Sequence, residues 1–265
     1  MEKVPALEIR DLSIGYGERT VLRDLNFTVQ QGEIFAVMGG SGCGKSTLLK
    51  HIIGIYPVQR GSIKIFGREI TGGNAPTLDE IARLFGVTYQ GGALLGSLTL
   101  AENVALVLQE HTNLSSGEIQ NKVMEKLALV NLENFADFLP SEISGGMKKR
   151  AGLARALVME PPLLFFDEPS AGLDPVSSAE LDRLILKMRD QENRTVVLIT
   201  HELDSVFAVA DRIIMLDKNT KTIAAEGDPR VLKEECPCDW VRNFLNRDGL
   251  IYTAQQAGQQ LKTAF

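Results

Sequence analysis

The period of the apolar positions changes along the chain, and the changes mark its elements. Leu7 and Ile9, then Leu25, Phe27 and Val29, alternate with polar residues, as in strands with one buried face. The pattern predicts strands over residues 6–14 and 21–29, with Gly15-Tyr16-Gly17 as the turn between them. Residues 33–38 form a short, continuously apolar strand, a glycine-rich loop follows, and 47–54 reads as a helix ending at Gly54. Strand, loop and helix in that order begin a parallel α/β arrangement.

From residue 99 to residue 130 the period becomes helical. Ala101, Val104, Ala105 and Leu108 share one face, and Ile119, Val123, Met124 and Leu127 share the face of a second helix. A third helix is predicted over 144–159, and strands over 86–90, 163–166, 195–200 and 213–216. Asp174 followed by Pro175 is an N-cap with proline at the first helical position, and Leu181, Leu184, Ile185 and Met188 continue at helical spacing. The expected organisation is an α/β core over 1–90 and 159–235, a helical subdomain at 91–158, and a C-terminal extension at 236–265.

Composition narrows the classes. At 265 residues the chain is one large domain or two small ones. Lys+Arg number 28 against 34 Asp+Glu, a net charge of −6, which argues against broad, sequence-independent nucleic-acid binding. The longest apolar runs are five residues, Ile34 to Met38 among them, whereas a membrane span needs about 20. Met1-Glu2-Lys3-Val4-Pro5 leads into a mixed segment without the apolar centre of a signal peptide. Cys43, Cys236 and Cys238 make no disulfide framework, so a reducing, cytoplasmic compartment is expected. Cys236-Pro237-Cys238 lacks further ligands nearby and reads as no metal site. Cys43, near a helix N-terminus, sits where a thiol pKa can fall.

The glycine-rich loop carries the chemistry. Gly39-Gly40-Ser41-Gly42-Cys43-Gly44-Lys45-Ser46 matches G-x-x-x-x-G-K-[ST] between an apolar strand and a helix. Glycines let successive N–H groups turn inward around phosphate oxygens, and the helix N-terminus adds unpaired N–H groups and a positive dipole end. The backbone from Gly39 to Thr47 would cradle phosphates, Lys45 would reach the β- and γ-phosphates, and the Ser46 hydroxyl would ligate Mg²⁺. Leu163-Leu164-Phe165-Phe166-Asp167-Glu168 ends a buried strand in two carboxylates. Asp167 is expected to hold Mg²⁺ through water, and Glu168 to polarise an attacking water as general base. Ser144-Gly145-Gly146 opens a further helix and makes a second anion site. Two copies facing head to tail would let the loop of one and Ser144, Gly145 and Gly146 of the other grip the same γ-phosphate.

With these motifs the chain resembles the nucleotide-binding subunit of an ABC transporter over about residues 6–235. The resemblance implies a P-loop NTPase with a RecA-like parallel sheet core, an N-terminal antiparallel β subdomain and a helical ABC-type subdomain. It implies ATP hydrolysis with Mg²⁺ by a homodimer that drives a separate membrane permease from the cytoplasmic face. Tyr16 matches the aromatic that stacks on adenine. Gln90 matches the glutamine that touches Mg²⁺ and water and reports to the permease. Ser144 to Met147 match the signature motif, Ser170-Ala171-Gly172-Leu173-Asp174 the loop that bridges the two subunits, and His201 the switch histidine at the γ-phosphate.

The signature usually reads Leu-Ser-Gly-Gly-Gln, and here Met147 replaces the glutamine. Together with Gln90-Gly91-Gly92-Ala93-Leu94-Leu95 and Leu139-Pro140-Ser141-Glu142, this looks like the ATPases of MCE-domain lipid transporters, the Mla-type phospholipid systems of bacteria with an outer envelope. That resemblance implies an MCE-domain partner and a small cytosolic accessory subunit; the alternative is the ATPase of a solute importer. Gly91, Gly92, Ala93 and Gly96 read as a groove too small-sided to fill itself, open to a permease helix. Lys148-Lys149-Arg150 reads as a solvated helix face. Trp240, Val241, Phe244 and Leu245 form one stripe of a short helix, and the stretch from Leu250 to Phe265 is expected to clasp the second copy.

Overall fold

Ile34–Gly39 is buried at every position, and its alternate side chains enter two different cores. Phe35 and Val37 face one side, and Ile34, Ala36 and Met38 the other. A strand covered on both faces reads as an unbroken apolar run, which is why this one shows no alternation. The computed structural model describes residues 4–71, 80 and 83–247.

The strands are β1 (Leu7–Tyr16), β2 (Arg19–Val29), β3 (Ile34–Gly39), β4 (Arg60–Ile65), β5 (Arg68–Glu69), β6 (Phe85–Thr88), β7 (Leu163–Asp167), β8 (Thr195–Ile199), β9 (Arg212–Asp217) and β10 (Thr222–Gly227). They form two sheets. A six-stranded sheet runs β10-β9-β3-β8-β7-β6, parallel throughout except for the antiparallel β9–β10 pair. A four-stranded antiparallel sheet runs β2-β1-β4-β5. The first core lies between the two sheets, where Phe27 stacks on Phe35 at 5.5 Å and Phe85 meets Phe165 edge-on at 5.4 Å.

The helices are α1 (Lys45–Ile52), α2 (Leu100–His111), α3 (Ser116–Leu129), α4 (Gly145–Leu157), α5 (Pro175–Glu192), α6 (Leu203–Val209), α7 (Pro229–Glu235) and α8 (Asp239–Leu245). Those from α2 onward pack on the second core, on the other face of the six-stranded sheet. Thr99 and Ser115 open α2 and α3 with capping boxes closed by Glu102 and Glu118. Asn103, fully buried on α2, exchanges hydrogen bonds of 2.8–3.1 Å with the backbone of Leu95, Leu98 and Thr99. This buried amide holds the loop before α2 against the helical layer.

Several expected boundaries move. The first hairpin turns at Gly17 and Glu18, because Gly15 and Tyr16 remain in β1, paired with Thr20 and Arg19. A Cβ on Gly15 would lie 2.0 Å from the Arg19 carbonyl oxygen, so the glycine serves a close strand approach and not the bend. The glycine-rich loop closes sooner than expected, and α1 begins at Lys45. Strand β6 stops at Thr88, leaving Gln90 in the turn beyond it. Val241 and Leu245 are buried, and Trp240 and Phe244 pack partly buried beside them on the second core. The stretch from Leu250 to Phe265 lies outside the described residues.

Candidate functional site

Strands β3, β7 and β8 run parallel, so their carboxyl ends share one edge of the sheet. Three chemical groups leave that edge: the glycine loop after Gly39, the carboxylates Asp167 and Glu168, and the pair Thr200 and His201. A single cleft there is lined by Tyr16, residues 39–42 and 44–47, Gln90, Glu168 and His201.

The loop is shaped for an anion. Gly39, Gly42 and Gly44 have φ of 145°, 72° and 106°. A Cβ on Gly39 would lie 2.6 Å from the Leu216 carbonyl oxygen. Helix α1 carries no acidic residue in its first turn, and no side chain caps it, so its N–H groups stay free for a ligand. Lys45 Nζ donates to the Gly39 oxygen at 2.8 Å and to the Gly40 oxygen at 3.4 Å, so the cation is held against the loop. Cys43 points the other way, 2% exposed in the core between the sheets. Burial pushes its thiol up, which overturns the expectation of a lowered pKa at a helix N-terminus.

Ser46 Oγ donates to Asp167 Oδ1 at 3.2 Å. A hydroxyl and a carboxylate side by side offer the hard oxygen donors that Mg²⁺ accepts alongside substrate phosphates, so these two residues fit the ion. Among the described residues there is no group of three or more His, Cys, Asp or Glu placed to hold a metal without a substrate. Burial raises the Asp167 pKa, against the lowering effect of the Ser46 hydrogen bond, and the neighbouring Glu168 raises it further.

Glu168 is a non-glycine residue at φ 50°, a conformation that costs about 1–2 kcal/mol. Surrounding contacts hold it there. Its N–H donates to the Ile199 oxygen at 2.8 Å, Thr200 Oγ1 donates to Oε2 at 3.3 Å, and His201 Nδ1 lies 2.9 Å from Oε1. The histidine expected at a γ-phosphate thus meets the carboxylate expected to act on water.

Tyr16 is 45% exposed at the cleft mouth, and its Oη lies 3.4 Å from Thr47 Oγ1. Sequence reasoning missed its neighbours. Tyr56 meets the Tyr16 ring edge-on at 5.3 Å, and buried His51 lies 6.2 Å from it, with Nδ1 bonded to the Thr47 oxygen at 2.8 Å. The available signal was His51, four residues after Thr47 on α1.

Ser144 caps α4 through its side chain, accepting from Met147 N–H at 3.3 Å, and Met147 packs on the second core. Ser144 and Gly146 line a different cleft, with Lys149, Leu173 and Asp174. The basic run beside them is not a solvated face. Arg150 Nη1 donates to the Val130 oxygen at 3.2 Å, and Lys149 reaches the loop after β7. Of the glycines after Gln90, Gly91 and Gly96 face open space as expected, but Gly92 does not. A Cβ on Gly92 would lie 2.4 Å from the Lys148 oxygen, and one on Gly152 2.9 Å from Gly92 Cα. Gly92 is the place where the loop backbone meets α4, and Arg155 secures it by donating to Gly92 and Ala93 oxygens at 3.0 and 2.8 Å. Ala93, Leu95 and Gly96 remain exposed on this clamped loop.

The model of the ABC transporter family matches residues 22–171, more than half of the chain. The chain belongs to that family. It is 42% identical over 241 residues to the probable ribonucleotide transport ATP-binding protein mkl of Mycobacterium tuberculosis, covering 91% of this chain and 66% of that protein. The chain therefore spans just under two thirds of those mycobacterial relatives. It is 37% identical over 241 residues to the intermembrane phospholipid transport system ATP-binding protein MlaF of Escherichia coli, covering 91% of this chain and 88% of that one. Among solved structures it resembles the ATP-binding cassette MJ0796, a dimer in a post-hydrolysis state bound to ADP and Pi. There the TM-score is 0.75 at 28% identity, over 84% of this chain and 98% of that one. The two sheets with their helical layer are accordingly the P-loop NTPase fold of ABC cassettes.

A carboxylate whose pKa rises on folding stabilises the fold below its ordinary pKa, and that stabilisation is lost as pH rises through the raised value. At pH 7 ionised Asp167 therefore destabilises the nucleotide-free chain. Asp167→Asn should raise the melting temperature at pH 7, with a gain that shrinks as pH falls through the carboxylate range. A gain independent of pH would contradict this assignment.

Proposed function

We propose that the chain is the ATP-hydrolysing subunit of a membrane transport complex, acting as a homodimer around two ATP molecules with Mg²⁺. The observation that carries the reading is the separation of the two anion sites. The glycine loop, Glu168 and His201 share one cleft, while Ser144 and Gly146 open on another. One copy therefore offers a phosphate cradle on one surface and the Ser144-capped N-terminus of α4 on a second. Head-to-tail pairing would bring each cradle against the other copy's signature, as two-fold closed dimers allow.

Hydrolysis in such a site depends on positioning and electrostatics rather than covalent chemistry. Lys45 and the N–H groups from Gly39 to Thr47 bind the β- and γ-phosphates. Ser46 and Asp167 would hold Mg²⁺, with Gln90 beside it, and the ion bound there would neutralise developing phosphate charge. Glu168, kept in place by Thr200 and His201, takes a proton from the attacking water. His201 then has a second partner available in the γ-phosphate. Tyr16 stacks on adenine, and Ser144, Gly145 and Gly146 of the second copy complete the charge stabilisation.

The cargo is phospholipid moved between bacterial membranes, with an MCE-domain protein and a small cytosolic subunit in the same complex. The support is the MlaF relative together with Met147 and the Gln90 to Leu95 segment. Among the described residues no helix is long and apolar enough to cross a membrane, and the reading assigns the membrane path to a separate permease. It would rest on Ala93 and Leu95, holding the chain at the inner face of the cytoplasmic membrane. A second reading, an importer of a small solute, is favoured by the name of the mycobacterial relatives. Purification of the native complex with analysis of its bound lipid separates the two: co-purifying phospholipid supports the first, and a lipid-free complex that drives ATP-dependent uptake of a small solute into vesicles supports the second.

Glu168→Gln should lower phosphate release by at least about a hundredfold, within the range general-base loss costs, while ATP binding persists. The amide keeps the side-chain shape and removes a charge facing the γ-phosphate. An ATP-dependent dimer should then appear by sizing chromatography. Wild-type turnover in the variant would remove Glu168 from its role.

A further inference from the structure

Lys149 is a cation without a carboxylate partner. Among the described residues no Asp or Glu lies within ion-pairing distance of its Nζ, although Glu168 and Glu202 act on it from further away. Its three N–H groups instead go to backbone: the Glu168 oxygen at 3.4 Å, the Pro169 oxygen at 3.2 Å, and the Ala171 oxygen. Burial lowers its pKa. A half-buried lysine that spends every donor on one short loop fixes that loop's path and does little else.

The loop is the one that carries Glu168. The left-handed backbone at Glu168 persists only if its surroundings hold it. Thr200 and His201 hold the carboxylate, and Ile199 holds the N–H. The carbonyl is held by Lys149 and by the Ala171 N–H at 3.3 Å. Among the described residues Lys149 is therefore the one side chain that hydrogen-bonds to the Glu168 backbone. It comes from α4, five residues after the helix cap Ser144.

We infer that Lys149 is a positioning residue that links the two nucleotide sites of a dimer. The inference rests on the head-to-tail reading above. In that dimer the N-terminus of α4 in one copy touches the γ-phosphate held by the other. Lys149 ties the same helix to the Glu168 backbone that serves the copy's own nucleotide. Occupation of one site would then set the carbonyl, and with it the carboxylate, at the second. The side chain touches no substrate and moves no proton.

The test uses the full chain with Mg·ATP, or the complex if the isolated subunit is inactive. Lys149→Met keeps the stem and loses the donors. Displacement of a catalytic group by about 1 Å costs on the order of a hundredfold, so kcat should fall between about tenfold and a hundredfold. The affinity for a fluorescent ATP analogue should stay within about twofold, because Lys149 does not reach the phosphate loop. The wild type should hydrolyse ATP with a Hill coefficient above 1, and the variant's should fall toward 1. Lys149→Arg, which keeps a cation and several donors, should restore most of kcat and the cooperativity. If Lys149→Met fails to fold, Lys149→Gln, with a single amide donor group, should show the same split in milder form.

An unchanged kcat, a loss explained wholly by weaker ATP binding, or an arginine variant as poor as methionine would overturn the inference. So would a Hill coefficient that is 1 in the wild type or unchanged in the variant. Failure of the underlying reading looks different: the wild type itself would release no phosphate from ATP.

Discussion

Along the buried strands of the six-stranded sheet, charge can stand only where the strands end. Strands β3, β7 and β8 are covered on both faces, and an ionised group along them would lack water and partners. Their parallel direction brings three strand ends to one edge, and Lys45, Asp167, Glu168 and His201 follow from that, whereas Arg19 reaches the cleft from β2. Lys45 begins the helix after β3, Asp167 closes β7, and His201 lies just beyond β8. The antiparallel sheet contributes Tyr16 at the end of β1, beside the same edge. The cost is visible at Asp167, whose pKa is raised by the burial that positions it.

Helix α4 is the second organising element. Its cap Ser144 presents an N-terminus to the outside, Lys149 holds the loop after β7, Gly152 admits the backbone of Gly92, and Arg155 clamps the loop after Gln90. Lys149, Gly152 and Arg155 are three residues apart and share one side of the helix. A rigid rod thus connects a surface offered to another copy, the Glu168 backbone, and the exposed loop proposed to meet a permease. In the proposed coupling, movement at its N-terminus would pass to both loops through the hydrogen bonds of Lys149 and Arg155 and the backbone approach at Gly92.

The glycine loop, the paired carboxylates and the Ser-Gly-Gly helix start were legible in sequence because their spacing is local and their chemistry demands those residue types. The long helices were legible from their apolar period. Other features were hidden for physical reasons. Strand β10 is half-buried along most of its length and β5 has two residues, so neither shows alternation. The smallness of Gly92 suggests open space in sequence, whereas its cause is a helix backbone far along the chain. Lys149 looks like one more surface cation until the fold supplies three carbonyls. Tyr56 and His51 join Tyr16 only through tertiary approach. Met147, the departure from the usual signature, packs into the second core, a role its apolar character allowed.

The central claim is that one copy holds only half of each phosphate site. Two inactive variants test it when mixed. Lys45→Ala removes the cradle and leaves the signature, and Ser144→Arg blocks the signature and leaves the cradle. If the site is shared, mixed dimers contain one intact combination, and the mixture should release phosphate from ATP although neither variant does alone. A mixture as inactive as its components, with mixed dimers shown to form, would contradict the account.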